Sequence, residues 1–203
     1  MNVSSTRWRA WPTAAGAATA VAVLAMALSA CDGPGGGGKS PSPKPSHSAP
    51  AGFQKVDAGK ATFAVPQGWR HMQPPQGWSA ARQLPDTKQQ GRFAQAGVIT
   101  DVPQTEDVKT VATATWAGTL FNAPHLKRSP EKHVKVPGAR DAIRVDYTYE
   151  TTGAGNTSVP MRGADLAITY GDSKAIAFRV TGVRKKLSAA TVNQIVGTVA
   201  VGS

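Results

Sequence analysis

In three runs between Ile143 and Val180 the large apolar residues fall on every second position. Ile143, Val145, Tyr147 and Tyr149 alternate with Arg144, Asp146, Thr148 and Glu150. Leu166, Ile168 and Tyr170 alternate with Asp165, Ala167 and Thr169, and Ile176, Phe178 and Val180 continue the pattern. A period of two belongs to a strand, whose successive side chains point to opposite faces, and not to a helix. Gly171-Asp172-Ser173-Lys174 supplies a hairpin turn between the last two runs. Strands joined so tightly must be antiparallel. This part of the chain is therefore expected to form a half-buried antiparallel sheet.

The remaining elements follow by the same reasoning. Gln54 to Val56 and Lys60 to Val65 read as two short strands around Asp57-Ala58-Gly59, the second ended by Pro66-Gln67-Gly68-Trp69. The next stretch, through Asp86, holds Pro74, Pro75 and Pro85 and reads as a long loop or irregular edge. Phe93 to Val102 is an expected strand. Thr105 is an expected N-cap, with Glu106 and Asp107 in the first turn. Val108, Val111, Ala112, Thr115 and Thr119 then share a helical face flanked by Trp116 and Leu120, and the helix should stop near Asn122. Val134 and Val136 precede a Pro137-Gly138 turn, and Thr152 to Thr157 is a Gly-rich turn. Ser188 caps a last helix to about Val199, with Val192, Ile195, Val196 and Val199 on its core side. The expected fold class is α+β: one domain, an antiparallel sheet flanked by helices.

The N-terminal region has a different composition. Arg7 and Arg9 form a positive segment, Ala14 to Leu28 is apolar and uncharged, and Ser29-Ala30 are small. This is the layout of a secretory signal over residues 1–30. The apolar run is about 15 residues, short of the roughly 20 that span a bilayer. Leu28-Ser29-Ala30-Cys31 resembles the lipobox of bacterial lipoproteins, and Cys31 is the chain's single cysteine. The resemblance implies cleavage between Ala30 and Cys31 and a diacylglyceryl thioether on Cys31. The chain is then held on the extracytoplasmic face of the cell membrane, where two acyl chains give stable anchoring. A single cysteine also rules out an internal disulfide, so the core alone must hold the domain. Residues 31–50 follow as a Gly/Pro/Ser tether without a large apolar side chain. Residues 51–203 form the domain, which is large enough for a substantial core.

Phe63-Ala64-Val65-Pro66-Gln67-Gly68-Trp69, a central amphipathic helix, Val136-Pro137-Gly138-Ala139 before a Tyr-containing strand, and a hairpin with a C-terminal helix make up one pattern. It resembles the PsbP-like α/β/α sandwich, including the LpqN-type lipoproteins of actinobacteria. The Ala/Gly/Arg/Pro-rich usage resembles that of high-GC actinobacteria. Members of this fold bind partners and share no single function, so the resemblance implies an accessory or scaffold role.

No constellation in the sequence carries catalysis. There is no Gly-x-Ser-x-Gly, no Ser-x-x-Lys and no second cysteine. His47, His71, His125 and His133 lack the spacing that sets two metal ligands on one helix face. No Gly-rich loop joins a strand to a helix as a phosphate cradle. No catalytic residue, metal or cofactor is expected.

Charge is the strongest remaining signal. Arg7 and Arg9 are two of the 23 basic residues and no acid precedes Cys31, so 21 basic and 12 acidic residues remain, a net charge of +9. The basic residues concentrate at Lys127, Arg128, Lys132 and Lys135 and at Arg184, Lys185 and Lys186. For an exported chain the polyanions at hand are anionic lipid headgroups and wall polymers rather than nucleic acid. The alternative is a solvated, solubilising surface. A second candidate contact is the loop bearing Trp69, His71, Met72 and Trp78, where aromatic residues sit beside stiffening prolines. The leading expectation is a non-enzymatic module for an envelope protein or polyanion. The alternatives are a carrier of a small apolar or lipidic ligand in a closed pocket between sheet and helix, lined by some of Val111, Leu120, Tyr147, Tyr149 and Phe178, and an enzyme of unrecognised type.

Overall fold

The computed structural model describes residues 49–86, 91–117 and 123–202. The signal segment, Cys31, most of the tether, and the helix end near Asn122 with Thr119 and Leu120 lie outside the described residues.

The first hairpin pairs β1 (Phe53–Asp57) with β2 (Ala61–Pro66) in antiparallel register. Its turn holds Gly59 at φ 78°, and the Gly59 N–H donates to the Asp57 carboxylate at 2.8 Å. Glycine is the residue that adopts this φ without steric cost. There follow β3 (Arg70–His71), β4 (Trp78–Asp86), β5 (Gly91–Ile99) and α1 (Val108–Ala117). The second half holds β6 (Lys127–Arg128), β7 (Lys132–His133), β8 (Asp141–Thr152), β9 (Ser158–Tyr170), β10 (Lys174–Val183), α2 (Ala189–Gly197) and β11 (Ala200–Val201).

These strands build two antiparallel sheets. The larger runs β3-β4-β5-β10-β9-β8-β6, with β7 also on β8; the smaller runs β1-β2-β11. The expected helix-flanked α/β/α sandwich is thereby corrected: the domain is mostly strand, with two short helices. Two features of the sequence explain the difference. The proline-bearing stretch read as a loop contains β3 and β4. β4 pairs with β5 through register shifts at Trp78/Ala80 and Leu84/Pro85, which break the alternation that marks a strand. The layer facing the large sheet's inner side is also not helical throughout, because α2 shares it with the small sheet.

That inner face carries Leu166, Ile168, Ile176, Phe178, Val180, Ala96 and Val98, packed against Val56, Phe63, Val65, Val192 and Ile195. Phe63 and Phe178 meet with ring centroids 5.1 Å apart and tie the two sheets together. The Thr198 hydroxyl accepts from the Ala64 N–H at 2.8 Å and donates to the Ile195 carbonyl at 2.6 Å, which locks the end of α2 to β2. The Pro137-Gly138 turn seats against β11, with the Val201 N–H donating to the Pro137 carbonyl at 2.9 Å. A Cβ on Gly138 would collide with the Val201 carbonyl oxygen, and Gly138 has φ 78°.

The opposite face is covered in part by α1. Val108, Val111, Ala112 and Trp116 pack on Ile143, Val145, Ala167 and Ala175. Asp107, not Thr105, opens this helix. Its carboxylate accepts from the Lys109 N–H at 3.0 Å and the Thr110 hydroxyl at 2.6 Å. Thr105 makes a preceding turn by accepting from the Asp107 N–H at 3.1 Å. Among the described residues no helix is long and apolar enough to cross a membrane.

Candidate functional site

β8 is an edge-proximal strand, and two short basic strands cover its free side. β6 sets Lys127 opposite Thr148 and Arg128 opposite Tyr147; β7 sets Lys132 opposite Arg144. Directly opposed residues of an antiparallel pair project to the same face. Lys127 therefore shares the inner face with Thr148, while Arg128 goes with Tyr147 to the face under α1. There its guanidinium carbon stands 4.5 Å from the centroid of the Trp116 ring, a cation–π contact.

Beyond the small sheet, the inner face of β8 and β9 is left open as a groove of about 380 Å³ between these strands and α2. Ala189, Val192 and Asn193, at i, i+3 and i+4 of α2, form one wall; Lys127, Ser129, Thr148 and Arg162 belong to the other. α2 is set in place by Ser188, whose hydroxyl accepts from the Thr191 N–H at 3.0 Å. Arg144 closes one end. It clasps Asp146, with the shortest contact 2.6 Å, and donates to Asn193 Oδ1 at 2.6 Å. A second depression of about 460 Å³ shares Lys127 and Thr148 and adds Arg184, His125, Glu150 and Pro160. Arg184 is brought there by the Arg184 N–H, which donates to the Pro160 carbonyl at 2.9 Å.

Lys127 and Arg184, from basic clusters far apart in sequence, thus line one depression. Arg162, which does not stand out in the sequence, lines the first groove with Lys127 because β9 pairs Arg162 with Thr148. Its signal was present: Arg162 occupies an inward register position of β9, where the following residues on that face are Ala164, Leu166 and Ile168. The other basic residues go elsewhere. Lys135 lines a separate depression with Pro137 and Arg140. Lys186 stands 5.0 Å from the Phe93 ring centroid, and Lys185 is exposed. Lys132 is exposed beside Arg144.

The Trp loop divides in a similar way. Trp69 and Met72 are buried, and the Gln54 amide donates to the Trp69 carbonyl at 2.7 Å. His71 is exposed, while half-buried Trp78 lies over Gly97, where a Cβ would meet its ring at 2.6 Å. These residues do not form one apolar binding edge. Val111 and Phe178 fall in separate cores on opposite faces of the large sheet, so the two do not line one pocket together.

His125 Nδ1 lies 2.9 Å from the Glu150 carboxylate, and the Ser158 hydroxyl donates to the same oxygen at 2.6 Å. The Ser158 hydrogen bond, then that of His125, holds the Glu150 carboxyl below its ordinary value. The carboxylate sits between serine and histidine. A nucleophilic triad needs the histidine in the middle to take the serine proton. Among the described residues no group of three or more His, Cys, Asp or Glu is placed to hold a metal ion.

No family profile and no curated protein matches the chain. Among solved structures, it is similar to the crystal structure of LpqN, a protein involved in cell envelope biogenesis of Mycobacterium tuberculosis. The match is 15% identical, covers 74% of this chain and 91% of that chain, and has a TM-score of 0.50. The domain has an LpqN-like fold. At this identity the likeness concerns the backbone architecture, and the LpqN-like fold says nothing about which side chains are functional.

Proposed function

We propose that this chain is a lipid-anchored envelope lipoprotein on the extracytoplasmic face of the membrane. Its LpqN-like domain is a non-enzymatic accessory module that binds an anionic envelope component. The observation that carries the reading is the convergence of basic residues around two adjoining depressions on β8 that share Lys127: the first, walled also by α2, adds Arg162, and the second adds Arg184. Basic side chains gathered in a concave site focus their field on one ligand, whereas scattered ones only solubilise. The lipobox-like Leu28–Cys31 segment and the involvement of LpqN in cell envelope biogenesis support the location.

Two experiments test it. Metabolic labelling with palmitate should mark the native chain and leave Cys31→Ala unlabelled in the culture medium; label retained by Cys31→Ala overturns the anchor. A photoreactive residue at Asn193, crosslinked in intact cells, should capture an envelope component that a Lys127→Glu/Arg184→Glu variant loses. Capture of nothing, alongside turnover of a small substrate, overturns the accessory role.

A further inference from the structure

We infer that the row Lys127–Thr148–Arg162 binds the phosphate group of a phosphate ester. The inference rests on the binding-module reading and names the chemistry of its ligand. The three residues stand at matched register on three adjacent strands, β6, β8 and β9, and project to one face. With strands about 4.8 Å apart, the two cations are anchored roughly 10 Å from one another with a hydroxyl between them.

The row consists of donors left without acceptors. Among the described residues neither Lys127 nor Arg162 is ion-paired with a carboxylate, and the Thr148 hydroxyl makes no hydrogen bond. Arg162 Nε is out of contact with solvent and has no acceptor. Buried nitrogen donors are nearly always satisfied, by protein or by ordered water, and the chain itself places no acceptor at this one. The two carboxylates near the row are already engaged, Asp146 by Arg144 and Glu150 by Ser158 and His125. Neither is free to serve as the partner of Lys127 or Arg162.

A ligand for this row must offer several acceptor oxygens around one negative centre. A guanidinium fork meets two phosphate oxygens in a plane, and an ammonium meets a third as a point charge. The first turn of α2, which adds Ala189 to the wall, favours a negative group there as well. About 380 Å³ exceeds the space a bare phosphate fills, and Ala189 and Val192 give the remainder an apolar side. A phosphate carrying a small organic group, such as a glycerol ester, fits both parts.

The test uses the full chain in a non-ionic detergent, titrated with inorganic phosphate, glycerol phosphate and dihexanoyl phosphatidylglycerol while backbone amide resonances are followed. Saturable shifts are expected at Lys127, Thr148 and Arg162. Affinity should fall at least fivefold in Lys127→Gln and in Arg162→Gln, and stay unchanged in Lys135→Gln. Lys127 is exposed, so Lys127→Gln reports on binding even where Arg162→Gln disturbs folding. Tenfold tighter binding of the phosphatidylglycerol assigns a lipid headgroup, and equal affinities assign a free phosphate ester; either result supports the inference. Shifts that never saturate, or that persist unchanged in Lys127→Gln, overturn it. If the Asn193 crosslink is still formed in that case, the accessory-module reading stands and only the phosphate chemistry falls.

Discussion

Arg179 forks onto Asp165 in the interior of the large sheet, beneath α1. Its Nε donates to one carboxylate oxygen at 2.9 Å and a terminal nitrogen to the other at 2.6 Å, with both side chains almost wholly buried. The same terminal nitrogen reaches the Thr115 carbonyl at 3.1 Å, and the Tyr147 hydroxyl donates to Asp165 at 3.1 Å. Every partner lies on β8, β9, β10 or α1, so the cluster fixes the helix over these strands. Removing one member of a buried pair leaves the other charged and unpaired, which typically costs about 3–5 kcal/mol. Asp165→Ala should lose stability of that order in urea denaturation. An Asp165→Leu/Arg179→Met chain should recover most of it, because an apolar pair leaves no charge stranded.

Tyr147 makes the fold sensitive to alkali. Burial, and then the neighbouring Asp165 carboxylate, push its phenol well above the ordinary 10.0. A pKa raised by folding means that the native state holds the proton more tightly than the unfolded chain does. The associated stability is complete below pH 10 and is lost as the pH climbs above it. Tyr147→Phe should remove up to about 1.4 kcal/mol per pH unit from the slope of stability above pH 10. Denaturation of the two chains at pH 9, 10 and 11 measures the difference.

Gly163 and Gly197 should respond to alanine in opposite directions. A Cβ on Gly163 would come within 2.6 Å of the Tyr147 ring and of the Val180 carbonyl. Gly163→Ala should destabilise by about 1–3 kcal/mol through overpacking. Gly197 ends α2 with nothing within 4 Å of the added atom. Gly197→Ala should stabilise by about 0.5–1 kcal/mol through helix propensity. Thermal melts of the two variants give the comparison.

Glu150 links the second depression to pH. Its carboxyl lies below 4.5, chiefly through Ser158 and next through His125. Any stabilisation is therefore present above pH 4.5 and lost as the pH falls through the lowered value. Ser158→Ala should move the Glu150 carboxyl back toward 4.5, and His125→Ala should do so to a lesser degree. Carboxyl carbon shifts followed across pH 2–7 read this directly, and an unmoved titration in Ser158→Ala would refute the assignment.

Strand positions were legible wherever alternation was unbroken. The expected strand at Ile143–Glu150 lies within β8, the hairpin turn falls at Gly171–Ser173, and Ser188 caps α2. β4 was not legible, because its register shifts mix the two faces and Pro85 looks like a breaker. On β9 and β10 the alternation placed the strands but gave no sign of the buried pair: only the register that sets Asp165 opposite Arg179 makes the burial of both charges tolerable. The groove was half legible: Lys127 and Arg184 stood out as runs of charge, but their meeting depends on long-range strand pairing, which spacing along the chain does not encode.

The small sheet has a mechanical consequence. β1 sits at its edge and pairs with no strand but β2, while β6, β8 and β9 belong to the other sheet. Tension arriving along the chain ahead of Phe53 therefore loads the five-residue β1–β2 ladder first. β1 is therefore expected to yield under such a load before force reaches the strands that carry Lys127, Thr148 and Arg162.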